Sequence, residues 1–79
     1  MKQFLERPAS LKYAQIKKIL LEFGFEHVVA KGSHEKFKHP MLDYDLVFPI
    51  HQNDCKEYYK KWAAKEVLKN NLHNYVNNG

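Results

Sequence analysis

Three short β-prone runs stand in the middle of this chain with almost nothing between them, and that spacing decides how it can fold. The first, Phe25 to Lys31, contains Phe25, Val28 and Val29; the second is His34 to His39; the third is Tyr44 to Pro49. Gly32-Ser33 parts the first two as a tight turn, and Pro40-Met41-Leu42-Asp43 parts the second from the third. A parallel crossover needs about a dozen residues or more, and neither connection approaches that. The runs can therefore pair only as an antiparallel meander. Pro49, which has no amide proton, marks its end.

Helical periodicity flanks the meander on both sides. Tyr13, Ile16, Ile19, Leu20 and Phe23 recur on one face, Ser10 in Pro8-Ala9-Ser10 is placed to cap, and Gly24 stands where a left-handed residue ends a helix. The pattern predicts a helix from Leu11 to Phe23. A second helix is expected from Asp54, with Asp54 and Glu57 at capping-box spacing and Tyr58, Tyr59, Trp62, Ala63 and Val67 as its buried side. Lys56, Lys60, Lys61, Lys65 and Lys69 spread over the rest of it. The Asn-rich tail, residues 70–79, is expected to fray, with Leu72, Tyr75 and Val76 in position to lengthen the apolar stripe. Helix, three antiparallel strands and helix predict a two-layer α+β fold with both helices on one sheet face and the other face open. The sequence shows no repeat and no linker, so one domain over residues 1–79 is expected.

Thirteen Lys and Arg against nine Asp and Glu give a net charge of +4. That balance favours a polyanion or an acidic protein as partner, because neutralised phosphates supply non-specific nucleic-acid affinity. No apolar stretch nears the roughly 20 residues that cross a bilayer, so no membrane association is expected. The first residues lack the apolar core of a secretory signal. Cys55 is the single cysteine, which forms no internal disulfide and points to a reducing compartment. The expected location is cytoplasmic.

Alternation along the second run sorts its side chains. Phe37 is the apolar anchor, so Glu35, Phe37 and His39 should meet the helices while His34, Lys36 and Lys38 line the open face. Such a row suits a phosphodiester: lysines hold the phosphate and an imidazole moves a proton near neutral pH. RNA carries its own nucleophile, the 2′-hydroxyl, so cleavage needs no metal, no other cofactor and no protein nucleophile. Gly32 lets backbone amides approach an anion, and the Ser33 hydroxyl can donate as well. The plainer reading of the same row is a solvated basic face. His51 is either the second member of an acid–base pair or a structural residue bonding across its loop. His27, His39 and His73 fit no motif, and no histidine pair has metal-binding helical spacing, so no metal site is expected. Cys55 reads as a small, partly buried thiol. Tyr58, Tyr59 and Trp62 with their lysines offer a base-stacking alternative, but helical spacing reads them as core.

Three segments together resemble the HicA toxins of bacterial HicA–HicB toxin–antitoxin systems. They are Ile19-Leu20-Leu21-Glu22-Phe23-Gly24-Phe25-Glu26, Lys31-Gly32-Ser33-His34-Glu35-Lys36-Phe37 and Val47-Phe48-Pro49-Ile50-His51, and with their spacing they span roughly Lys12 to Lys65. The resemblance implies a double-stranded-RNA-binding-like α-β-β-β-α fold and ribosome-independent cleavage of mRNA. It also implies a HicB-like antitoxin that covers the active site, and it makes His34, the histidine of Gly-Ser-His, the catalytic residue. Gly32, Ser33, Lys36 and Lys38 would bind substrate. A non-catalytic RNA-binding module using the same basic face, or a domain docking an acidic protein, would carry the same charges. The chain departs from the family pattern at Gln52, where a glycine is usual, and along Tyr58-Tyr59-Lys60-Lys61-Trp62, where an aliphatic run is usual. Its N-terminal extension, residues 1–8, is also longer than the family pattern.

Overall fold

The computed structural model describes residues 2–75 of the chain. Its architecture is α+β and follows the α-β-β-β-α order, with one short helix added in front. Helix α1 (Lys2–Glu6) leads through a 3-10 turn (Pro8–Ser10) into α2 (Tyr13–Glu22). Strands β1 (Glu26–Val29), β2 (His34–Lys38) and β3 (Leu46–Pro49) follow, then α3 (Glu57–Lys69) and a closing 3-10 turn (Leu72–Asn74). The sheet order is β1-β2-β3, antiparallel throughout, as the short turns require. No helix among the described residues is long and apolar enough to cross a membrane.

Both long helices lie on one face of the sheet. Phe37, fully buried, meets the edge of Tyr13 from α2 and of Phe48 from β3, and Phe48 in turn meets Trp62 from α3. The anchoring role that alternation gave Phe37 is thus realised, and His34, Lys36 and Lys38 fall on the opposite face. Ile16, Leu20, Leu46, Ala63 and Val67 fill the space between the layers.

Helix α1 is absent from the sequence-based expectation, because five residues are too few to show a period. Its Phe4 is fully buried and packs against Phe23, while the helix rests on α3. Ser10 does not cap α2. It sits in the 3-10 turn, its hydroxyl donating to the Arg7 carbonyl, and the helix begins three residues later.

Asp54 also departs from expectation. Helix α3 starts at Glu57 after Lys56, with no side-chain cap. Asp54 instead caps α2: its Oδ1 accepts the Tyr13 N–H at 3.0 Å, beside its own neighbour's amide, Cys55 N–H, at 2.8 Å. The same oxygen lies 3.0 Å from Lys60 Nζ. Lys60, expected on the surface, is only 5% exposed and donates also to the Leu11 carbonyl at 2.6 Å. A buried ammonium is tolerable when paired and hydrogen-bonded, and both conditions are met here. Tyr58 is corrected in the other direction: it is 70% exposed, not core.

The tail is ordered through Tyr75 rather than frayed from Asn70. Asn71 turns left-handed (φ +56°) and ends α3, which lets Leu72 bury itself. Tyr75 then packs edge-on against His39. His39 Nδ1 accepts from the Met41 N–H, so Nε2 carries the proton and donates to the Phe23 carbonyl, both at 3.0 Å. Gly24 (φ +98°) lies under the Tyr75 ring, where any Cβ would fall 2.7 Å from it. The predicted stripe residue Val76 lies outside the described residues.

Candidate active site

The site is built at the end of the sheet where β2 starts and β3 stops. Gly32 takes φ +66°, and an added Cβ there would meet nothing within 4 Å, so it is the backbone angle that calls for glycine. The Ser33 carbonyl accepts the Ile50 N–H at 2.9 Å, which ties the Gly32-Ser33 turn to the end of β3. His34 stands opposite Pro49, Lys36 between Val28 and Val47, and Lys38 opposite Glu26. Side chains two apart on a strand are about 6–7 Å from one another, the scale of successive phosphates on a strand of RNA.

The three expected site residues of this row differ in what holds them. His34 is exposed, and its ring makes no hydrogen bond among the described residues. Lys36 forms no ion pair among the described residues. Lys38 lies 3.9 Å from Asp45, so part of its charge is already answered. Gly32, Ser33 and His34 share one shallow recess with Glu35, Ile50, Gln52 and Asn53.

Glu35, which also lines that recess, faces the helices as alternation predicted, but the partners it finds there were not foreseen. It turns to the helix layer, where Tyr13 donates its hydroxyl at 2.5 Å and Lys17 Nζ lies at 3.5 Å. His27 Nε2 is 3.1 Å from the same oxygen, close in charge but outside hydrogen-bond alignment. The Tyr13 bond is the main reason that the Glu35 carboxyl titrates below its usual range, and burial followed by that bond pushes the Tyr13 hydroxyl up. This cluster pins the residue next to His34 to α2. Its members come from three elements, so no local spacing could have revealed it.

His51 is not brought into the His34 recess. Its backbone exchanges both hydrogen bonds with Asp54, at 2.7 and 3.0 Å, and the residue lines a separate hollow with Asp54, Cys55 and Lys56. Burial pushes the Cys55 thiol up, away from a thiolate. Between His51 and Asp54 the chain turns through Gln52 (φ +53°) and Asn53 (φ +66°), the double left-handed geometry of a type I′ turn. Asn tolerates this region and Gln does not. Replacing Gln52 with glycine removes that strain, offset in part by glycine's greater unfolded-state freedom. Gln52→Gly is expected to raise stability by about 0.5–1 kcal/mol, read as a higher urea midpoint at unchanged slope.

A family model described as HicA toxin of bacterial toxin–antitoxin systems matches residues 13–69, well over half of the chain. No curated protein and no solved structure matches the chain. The chain belongs to the HicA toxin family, whose members act within toxin–antitoxin pairs, and an antitoxin partner follows from that membership. The matched span begins at Tyr13, so α1 and the 3-10 turn after it stand outside the family's shared region.

Proposed function

We propose that this toxin is a metal-independent endoribonuclease that cleaves mRNA in the cytoplasm and is neutralised by a HicB-like antitoxin covering the open sheet face. The observation that supports it best is His34 itself: an exposed imidazole at the mouth of a glycine turn, two residues along the strand from Lys36, which forms no ion pair among the described residues. His34 takes the proton from the RNA 2′-hydroxyl, whose oxygen attacks the adjacent phosphorus. The bond to the 5′-oxygen breaks, that oxygen leaves with a proton from the conjugate acid or water, and a 2′,3′-cyclic phosphate remains. Lys36 and Lys38 hold the phosphate and stabilise the charge that develops on it, with Ser33 and the Gly32 amide adding donors.

The products give the test. Purified protein in excess chelator should cut single-stranded RNA to fragments ending in 2′,3′-cyclic phosphate and leave the matching DNA intact. Cleavage of the DNA, or activity that vanishes with chelation, would sink this chemistry. One observation favours the competing, non-catalytic RNA-binding reading: the second histidine, His51, lines a different hollow from His34. In that case the protein binds RNA in a salt-sensitive way and never shortens it.

A further inference from the structure

Helix α3 carries a second feature that the His34 site does not use. Tyr58, Lys61, Trp62 and Lys65 line one recess on its outer surface. Their spacings of three and four residues make them mutual neighbours on a helix, with the two aromatics along one edge and the two lysines along the other. Tyr58 stands out in solvent, braced edge-on by Tyr59 at 5.2 Å, and Trp62 is half-buried with its inner side on Phe48. Lys61 and Lys65 are exposed, one turn apart, and repel each other. Neither forms an ion pair among the described residues: Glu57, one turn before Lys61, does not engage it, and Glu66 is buried against the Tyr44 hydroxyl. An exposed aromatic platform beside two uncompensated cations is complementary to a stacked base and its phosphates.

Topology returns the first turn of α3, where Tyr58 stands, toward the end of the sheet that carries His34, with α3 itself on the other sheet face. Strand β3 ends at Pro49, opposite His34, and only residues 50–56, folded back on themselves through the His51–Asp54 bridge, separate it from the first turn of α3. We infer that Tyr58, Trp62, Lys61 and Lys65 form a subsite for single-stranded RNA, in which a base, preferably a purine, stacks on the aromatic pair and its flanking phosphates lie on the lysines. The subsite rests on the reading of the protein as an RNA cleaver only for its role: it grips the substrate beyond the scissile bond. Its binding chemistry stands independently of cleavage.

Trp62 is the chain's single tryptophan, so its emission reports on this recess alone. The probe is a short 2′-O-methyl oligoadenylate, which lacks the nucleophile and cannot be cut. Titration into the full-length protein should quench Trp62 saturably, and 2′-O-methyl oligouridylate should bind more weakly. Tyr58→Ala should lower affinity about tenfold and Tyr58→Phe should leave it within about twofold, as stacking demands. Lys61→Gln with Lys65→Gln should flatten the slope of log affinity against log salt by about 1.4. Binding seen by anisotropy with Trp62 emission unchanged overturns the inference, and so does Tyr58→Ala binding like the wild type. A Tyr58→Ala protein that keeps its RNA affinity but loses an acidic protein partner overturns it in favour of a protein interface. If His34→Ala still cleaves, the catalytic reading fails while Trp62 quenching stands; lost quenching with intact cleavage removes only the subsite.

Discussion

His34→Ala is expected to lower the rate of RNA cleavage by about 10²–10⁴-fold, the range supplied by one general acid–base group. The same change should leave both the fold and the RNA affinity nearly untouched. The His34 ring is exposed and makes no hydrogen bond among the described residues, so its removal forfeits no packing and orphans no partner. Surface substitutions of that kind cost within about 0.5 kcal/mol. Single-turnover cleavage of a labelled RNA, alongside a thermal melt and an anisotropy titration, separates the three quantities. Lys36→Ala should behave differently, weakening binding and cleavage together, because its cation meets the phosphate before and during reaction. A His34→Ala protein that cuts RNA at the wild-type rate would remove this residue from the mechanism. In cells the matching result is that expression of His34→Ala, without antitoxin, no longer arrests growth.

Asp54→Ala should be the most damaging change for stability away from the aromatic core, at about 2–4 kcal/mol. About 1 kcal/mol of that is the lost cap on the Tyr13 N–H. The rest comes from leaving the Lys60 ammonium buried with only the Leu11 carbonyl, reduced because the outer part of Asp54 reaches solvent and screens the pair. In a 79-residue chain, whose core is thin and whose stability is small, this is a large share of the whole. Asp54→Asn keeps an acceptor for the Tyr13 and Cys55 amides and should recover the capping part. Asp54→Ala combined with Lys60→Met should recover part of the burial term, so the two effects will not add. Urea denaturation of the wild type, these three variants and Lys60→Met alone measures all of this.

The pH dependence follows in sign. Backbone donation from Cys55, then the Lys60 bond, holds the Asp54 carboxyl below the usual carboxylate range, and the Tyr13 bond holds Glu35 below it as well. A carboxylate depressed in the folded state contributes stability that is fully present above its unfolded pKa, about 4, and is lost as pH falls through the folded value. The wild-type protein should therefore lose stability on acidification below about pH 4, and Asp54→Ala should show a shallower loss over the same window.

The meander was legible because everything that defines it is local. Turn residues, strand lengths and the alternation around Phe37 lie within a few positions of one another, and the register then fixes His34, Lys36 and Lys38 on the open face. Caps were less legible. Asp54 has the right neighbours to start α3, yet the amide it serves belongs to Tyr13, which only the finished fold brings near. Lys60 and Tyr58 were exchanged for a related reason: helical spacing assigns a face, but a buried carbonyl and carboxylate drew the lysine in and left the tyrosine out. The Glu35 cluster has no sequence signature, since Tyr13, Lys17 and His27 reach it from other elements. The proposed role of His34 rests on the Gly-Ser-His context, and the geometry adds that no hydrogen bond among the described residues engages its ring.

The Asp54 junction also bears on when this protein becomes finished during synthesis. The amide of Tyr13 waits for an acceptor 41 residues further along the chain, and that acceptor is itself fixed by Lys60. Contacts so distant in sequence form late, after the loop between them has been closed. A nascent chain emerging from the ribosome can thus pair its strands while α2 remains uncapped and the hairpin bordering the His34 recess is still loose. The hairpin that borders the His34 recess is anchored only once Lys60 has joined the fold, well after the strands beside it have been made.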